Sequence, residues 1–258
     1  MGSSFIITIF LIGFIGSFIS GLLGIGGAII NFPMFLYIPV ALGVGHFTAF
    51  EVSEITAIQA FFATIGGVFA YRKDGFLNKK LIAYMGISIL IGSFIGGFAS
   101  RYMPESGINI VYGMLALIAV IMMFAPNKGE DYIPLDQVKF NKWVAALLAS
   151  IVGIGAGIVG AGGAFLLVPI MLVVLKIPTR MTIASSLAIT LISSVGTIIG
   201  KISIVQIEML PSFIIIIASV IAAPLGAKVG KRLNTKILQV IMGILIFTTS
   251  IKIWMDLL

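Results

Sequence analysis

Two short stretches hold most of the chemistry that this chain's backbone could perform. Gly24-Ile25-Gly26-Gly27 and Gly160-Ala161-Gly162-Gly163 each place three glycines in four residues, and a proline, Pro33 or Pro169, stands six residues beyond the last of them. Glycine is about 1 kcal/mol worse than alanine in a helix, so each cluster predicts an unwound turn. Backbone N–H groups exposed at such a turn, ahead of a helix N-terminus, suit an anion. The alternative use of the same glycines is close helix packing. Gly92-xxx-Gly96, Gly153-xxx-Gly157 and Gly226-xxx-Gly230 are read in that second way.

The side chains that could assist an anion are few and neutral. Asn31 follows the first cluster, Ser185, Ser186 and Thr190 follow the second, and Gln59 stands between them. Thr182, Ser186, Thr190, Ser193 and Thr197 recur every three or four residues, which on a helix keeps them within a stripe about 80° wide. A stripe of this kind lines a polar path, or it bonds back to its own carbonyls and to neighbouring helices. Glu54 and Glu51 are the candidates for carrying a proton. Thr48-Ala49-Phe50-Glu51 also reads as a capping box, which gives Glu51 a structural use. A bare carboxylate in a bilayer costs roughly 3 kcal/mol, so Glu54 is expected to face a cavity or to hold a proton. A fixed negative charge at the binding point would repel an anion.

Other chemistries lack their residues. The chain has no cysteine, and His46 is its one histidine. A cysteine nucleophile, a thiolate site and a histidine metal cluster are therefore excluded, and neither metal nor cofactor is expected. An intramembrane enzyme would need a nucleophile–base pair that these residues do not offer. There is no P-loop for ATP. Gly155-Ala-Gly-Ile-Val-Gly160 fits the dinucleotide pattern, but it ends an apolar run instead of joining a strand to a helix.

The elements that must hold these residues follow from composition. Of 258 residues, 60% are hydrophobic and 10% charged, too few charges to cover a water-facing surface and far too apolar for disorder. The expected class is an all-α polytopic membrane protein embedded in the lipid bilayer. Apolar runs give ten segments, at 4–23, 26–43, 48–70, 81–100, 108–125, 142–159, 162–176, 182–200, 209–227 and 236–255, each long enough to be a membrane helix or a re-entrant arm. The runs do not alternate, which argues against a barrel. Met1 to Ser4 carries no basic residue, so the first segment is expected to be retained and not cleaved as a signal peptide.

The net charge of +7 is better explained by orientation than by nucleic acid. If all ten segments cross or reverse in turn, Arg72, Lys73, Lys79, Lys80, Lys128, Lys139, Lys142, Lys176, Arg180, Lys228, Lys231, Arg232 and Lys236 share one face, and Arg101, Lys201 and Lys252 the other. The positive-inside rule makes the first face cytoplasmic and places both termini outside. Full spans and re-entrant hairpins at segments 1–2 and 6–7 predict the same charge split. Arg72-Lys73 and Lys228-Lys231-Arg232 read as topology anchors, and His46 as an interfacial residue.

The chain also repeats itself. Gly21-Leu-Leu-Gly-Ile-Gly-Gly-Ala28 matches Gly157-Ile-Val-Gly-Ala-Gly-Gly-Ala164, and Ala49, Gly67, Arg72, Gly96, Arg101 and Gly113 fall in order on Ala184, Gly196, Lys201, Gly226, Lys231 and Gly243. A first membrane repeat is expected at 1–125, a polar cytoplasmic linker at 126–141 and a second repeat at 142–258. Five segments per copy invert the second copy relative to the first, and interrupted segments at matching places point to a transporter binding site near the midplane.

The paired Gly-x-Gly-Gly-Ala stretches leading to proline, with Ala184-Ser185-Ser186-Leu187 followed by a glycine and a basic position, resemble the sulfite exporter TauE/SafE family over nearly the whole chain. The resemblance implies a multipass bacterial plasma-membrane protein that moves a small anion, a sulfur oxyanion or an organosulfonate, in export and with proton coupling. Phe50-Glu51-Val52 stands where the second copy has Ser185-Ser186-Leu187, so Glu51 and Asn31 bear on substrate choice. A secondary transporter is therefore the expected function, with a passive anion channel and a non-transporting scaffold subunit as alternatives. Assembly of several copies is compatible with the sequence.

Overall fold

The computed structural model describes residues 3–123, 138, 140–202 and 209–257. Lys128, Lys139 and nearly all of the linker expected at 126–141 lie outside the described residues. The described chain is helical and contains no strand. Its α-helices are α1 (Ser3–Leu23), α2 (Ala28–Ala41), α3 (Ala49–Tyr71), α4 (Lys79–Ala99), α5 (Glu105–Met123), α6 (Lys142–Val159), α7 (Ala164–Pro169), α8 (Thr179–Ile202), α9 (Met209–Gly230) and α10 (Thr235–Leu257). Seven stretches among the described residues are long and apolar enough to cross a membrane: Ser3–Leu23, Ala49–Tyr71, Lys79–Tyr102, Glu105–Met123, Lys142–Val159, Thr179–Lys201 and Leu210–Gly230. The outward side chains, such as Ile87, Ile121, Leu147 and Phe213, are large and apolar, as a lipid-facing surface requires.

Helix starts are set by side-chain caps. Thr48 accepts from the Glu51 amide while Glu51 accepts from the Thr48 amide, which completes the capping box at α3. Asn78 and Asn141 cap α4 and α6. The segment expected as one helix over 162–176 is instead α7 followed by a π-helical stretch, Ile170–Val174. The wider turn follows Pro169, which has no N–H to give to the preceding turn.

Close approach along glycine edges decides the packing. α4 lies on α6, and α1 lies on α9. A Cβ on Gly96 would stand 1.9 Å from the Ile154 carbonyl oxygen, and one on Gly226 would stand 1.8 Å from that of Phe18. No side chain other than glycine fits at these two crossings, so the G-xxx-G spacings here serve packing.

α1 and α2 form a hairpin, and α6 and α7 form another. Phe5 near the start of α1 packs on Phe47 just before α3, with ring centroids 6.0 Å apart. At the other end of α1, Leu22 lies against Gly230 at the end of α9. α2, of 14 residues, then returns beside α1. α6 starts at Lys142, next to Tyr84 of α4, and ends at Gly160 against Ser53 of α3. The chain then runs back to Ile177, whose carbonyl accepts from Thr182 at the start of α8. The returning arms are shorter than the ~20 residues of a full span, and the two hairpins open at opposite ends of the molecule.

Candidate functional site

The two glycine clusters adopt the same backbone. Gly24, Gly26 and Gly27 have φ of 73°, 75° and 69°, and Gly160, Gly162 and Gly163 have φ of 77°, 64° and 79°. This is the left-handed region, where glycine pays no steric penalty. The pattern turns each chain sharply at the tip of its hairpin, as the glycine spacing predicts.

The two turns meet at Thr190, midway along α8. A Cβ on Gly26 would stand 3.3 Å from Thr190 Cγ2 and 3.2 Å from the Ala164 methyl. A Cβ on Gly162 would stand 2.6 Å from the same Thr190 methyl and 3.4 Å from Ala60 of α3. The Thr190 hydroxyl is fully buried and has no hydrogen-bond partner among the described residues. A buried, unpaired polar group is costly, and the crossing is left with an unmet hydrogen bond.

Asn31 belongs to the same region. It is fully buried, neither its amide oxygen nor its amide nitrogen has a partner among the described residues, and it occupies the space left by Gly16 of α1. Gln59 donates to the Gly13 carbonyl and to Ser17, each at 3.0 Å, and its own carbonyl oxygen stays unpaired. Ser186 donates to the Gly24 carbonyl at 2.8 Å and so ties α8 to the first turn. Ser185 faces elsewhere: it accepts from the Asn78 amide at the start of α4. The hydroxyl stripe is therefore mixed. Thr182 and Thr197 bond back to carbonyls, while Thr190 and Ser193 remain unpaired.

The carboxylates divide as well. Glu51 is engaged in its cap, with one oxygen accepting from both the amide and the hydroxyl of Thr48. Glu54 is buried and has an unpaired oxygen. Beside it lies a group that the sequence marks only as a member of the sparsely charged face and as the repeat counterpart of Arg72. Lys201 is 3% exposed and donates to Ser53 at 2.9 Å, to Ser100 at 2.9 Å and to the Ile158 carbonyl at 3.2 Å. It is within electrostatic reach of Glu54. Among the described residues, Glu54 and Lys201 are the only charged side chains in the buried interior.

The far ends of α3 and α8 are joined by a second basic cluster. Lys231 pairs with Asp74 and donates to the Ala70 carbonyl. Arg180, at the start of α8, donates to the carbonyls of Lys231 and Leu233. Arg180 and Lys231 thus share one end of the molecule, and Lys201 and Arg101, next to Ser100, share the other.

Several known proteins similar to this chain are described as probable membrane transporters. The chain is 23% identical to the probable membrane transporter protein YunE of Bacillus subtilis, over 94% of each chain. It is 24% identical to a probable membrane transporter protein of Methanocaldococcus jannaschii, over 90% of this chain and 89% of the other. A further Bacillus subtilis relative, the probable membrane transporter protein YdhB, is 22% identical over 95% of each. No solved structure matches the chain. The profile of the family described as Sulfite exporter TauE/SafE covers residues 9–253, and this multipass membrane protein belongs to that family.

Proposed function

We propose that the chain is a secondary transporter that moves a small anion, sulfite or another sulfur oxyanion or organosulfonate, across the plasma membrane, in export and coupled to protons. The observation that carries this reading is the meeting of both glycine turns with the unpaired hydroxyl of Thr190. The amides of Ile30 and Asn31 donate to the Gly27 carbonyl, but no side chain caps the start of α2, so the first N–H groups of that helix, those of Ala28 and Ile29, are the backbone donors assigned to the anion. Asn31, Gln59 and Ser186 stand near them as neutral partners. Glu54 is the proton carrier, and Glu51, held in its cap, is second to it.

In this reading residues 1–125 and 142–258 are two inverted repeats joined by a cytoplasmic linker. The pairing of α1 with α9 and of α6 with α4 supports this, because each repeat then packs its first helix on the other's fourth. The hairpins that open at opposite ends support it too. The end bearing Arg180 and Lys231 is cytoplasmic, both termini lie outside, and the repeats rock around the glycine crossing to alternate access.

The test is flux in liposomes containing the purified protein. Sulfite, thiosulfate, sulfate and a small sulfonate are offered with and without a pH gradient. The reading expects saturable movement of at least one of them, accelerated by the gradient. Flux that neither saturates nor responds to the gradient would favour a passive path instead.

A further inference from the structure

The Lys201 site has a chemistry of its own. All three acceptors around the ammonium are neutral. The hydroxyl of Ser53 donates to the Phe50 carbonyl and that of Ser100 to the Gly97 carbonyl, so each serine offers Lys201 only a lone pair. The Phe50 ring lies 5.0 Å from the ammonium. These bonds are already charge-assisted by the ammonium, but none of the acceptors carries a negative charge; a small oxyanion adds Coulomb attraction in a low-dielectric interior, so it is a better partner for this lysine than anything now touching it. The serine hydroxyls, once released, can turn and donate to the same anion.

We infer that Lys201, with Ser53 and Ser100, is a second anion station, separate from the glycine crossing and at the end of the molecule opposite Arg180 and Lys231. The lysine at that other end already has a carboxylate, Asp74; Lys201 has none in direct contact among the described residues. The other charged side chain in the described interior is Glu54, which follows Ser53, a hydrogen-bond partner of Lys201, directly in the chain. One buried cation balances one negative charge, either the Glu54 carboxylate or the arriving anion. The anion therefore settles on Lys201 as Glu54 takes up a proton, and anion and proton travel in the same direction. The described carboxylates at this end are already committed: Glu51 is in its capping box and Glu105 accepts from the Ala49 amide. Arg101, next to Ser100, stacks on Phe98 and Tyr102 with its Nε unpaired among the described residues, so it adds to the positive field, and comparing Lys201 with Lys201→Met isolates the lysine's share. The role of the station on a transport route rests on the function proposed above; binding at Lys201 does not.

The chain's lack of cysteine allows a direct test. Ser100→Cys is made in the full-length protein, alone and combined with Lys201→Met or Lys201→Arg. The thiol is modified with the sulfonatoethyl and the trimethylammonioethyl methanethiosulfonates, and the ratio of the two rates is compared between backgrounds. A station for anions raises the ratio with Lys201 present by about tenfold or more over Lys201→Met, and Lys201→Arg restores it. The ratio also climbs as pH falls, and in Glu54→Gln it becomes flat. Equal ratios with lysine and methionine overturn the station, as does a thiol that neither reagent reaches. A ratio independent of pH with Glu54 in place overturns the exchange with a proton. Ser53→Cys gives the same readings if Ser100→Cys does not fold. Liposomes that move no anion while the ratio holds would refute the transport reading and leave the station standing.

Discussion

The ammonium of Lys201 and the hydroxyl of Ser53 lie 2.9 Å apart, which joins the last turn of α8 to the second turn of α3. The opposite ends of the same two helices are joined through Lys231, which donates to Ala70 of α3 while Arg180 of α8 donates to its carbonyl. The helices that flank the glycine crossing are thus tied at both ends, and the rocking proposed above would have to release one tie at a time.

Removing an acceptor from Lys201 is costly because the ammonium stays buried. Ser53→Ala is expected to destabilise the protein by about 1–3 kcal/mol. Adding Lys201→Met recovers most of the loss, since no unpaired charge remains. Thermal unfolding in detergent checks this, with Ser53→Ala melting below the double variant. The reverse order would contradict the contact.

The glycine turns should rank by their surroundings. Gly43 has a φ of 63° and open space where a Cβ would go, whereas a Cβ on Gly160 would stand 1.7 Å from the Ser53 carbonyl oxygen. Gly43→Ala carries only the left-handed backbone cost, about 1–2 kcal/mol. Gly160→Ala adds a backbone clash and is expected to lower the yield of folded protein sharply. Size-exclusion profiles of the two variants give the comparison, and equal profiles would remove the close approach of α6 to α3.

Thr190→Val removes the hydroxyl and keeps the shape. Because the hydroxyl has no partner, the melting temperature should hold or rise, while anion flux in liposomes should fall. Ser186→Ala provides the contrast: it loses the bond to the Gly24 carbonyl and about 1 kcal/mol of stability. A Thr190→Val variant with full flux would take Thr190 out of the site.

The two glutamates should separate by readout. Glu51→Ala breaks the capping box and costs about 1 kcal/mol, with the response of flux to pH preserved. Glu54→Gln leaves the buried Lys201 without its balancing charge, so it lowers the melting temperature as well, and it abolishes that response. Flux measured across a pH gradient distinguishes them, and a wild-type response in Glu54→Gln would discard Glu54 as the proton carrier.

Much of this was legible in the sequence, for physical reasons that differ by residue. Three glycines in four residues have no use in a straight membrane helix, so the turns at Gly24–Gly27 and Gly160–Gly163 could be placed without coordinates. The capping box at Thr48 and Glu51 is local and was equally readable. The role of Lys201 was not, because a basic residue at a segment end looks like an interface anchor. Ser53, Ser100 and Ile158 come to it from three other parts of the chain. Its signals were membership of the poorly charged face and its match to Arg72 in the repeat, and neither points to burial. The opposed uses of Ser185 and Ser186 were also hidden, since adjacent helical residues point 100° apart and only packing shows which meets the glycine turn. The π-helical stretch after Pro169 had no sequence signal beyond the proline.

The most direct test of the glycine crossing as the anion site is equilibrium exchange of labelled sulfite in liposomes, comparing wild type with Gly26→Val. A side chain at Gly26 enters the gap between Thr190 and Ala164, where even a Cβ has neighbours at 3.2 and 3.3 Å. The predicted result is saturable exchange by the wild type and exchange at the rate of empty liposomes by the variant, with both proteins monodisperse. Wild-type exchange by a folded Gly26→Val, or no exchange by the wild type, would contradict it.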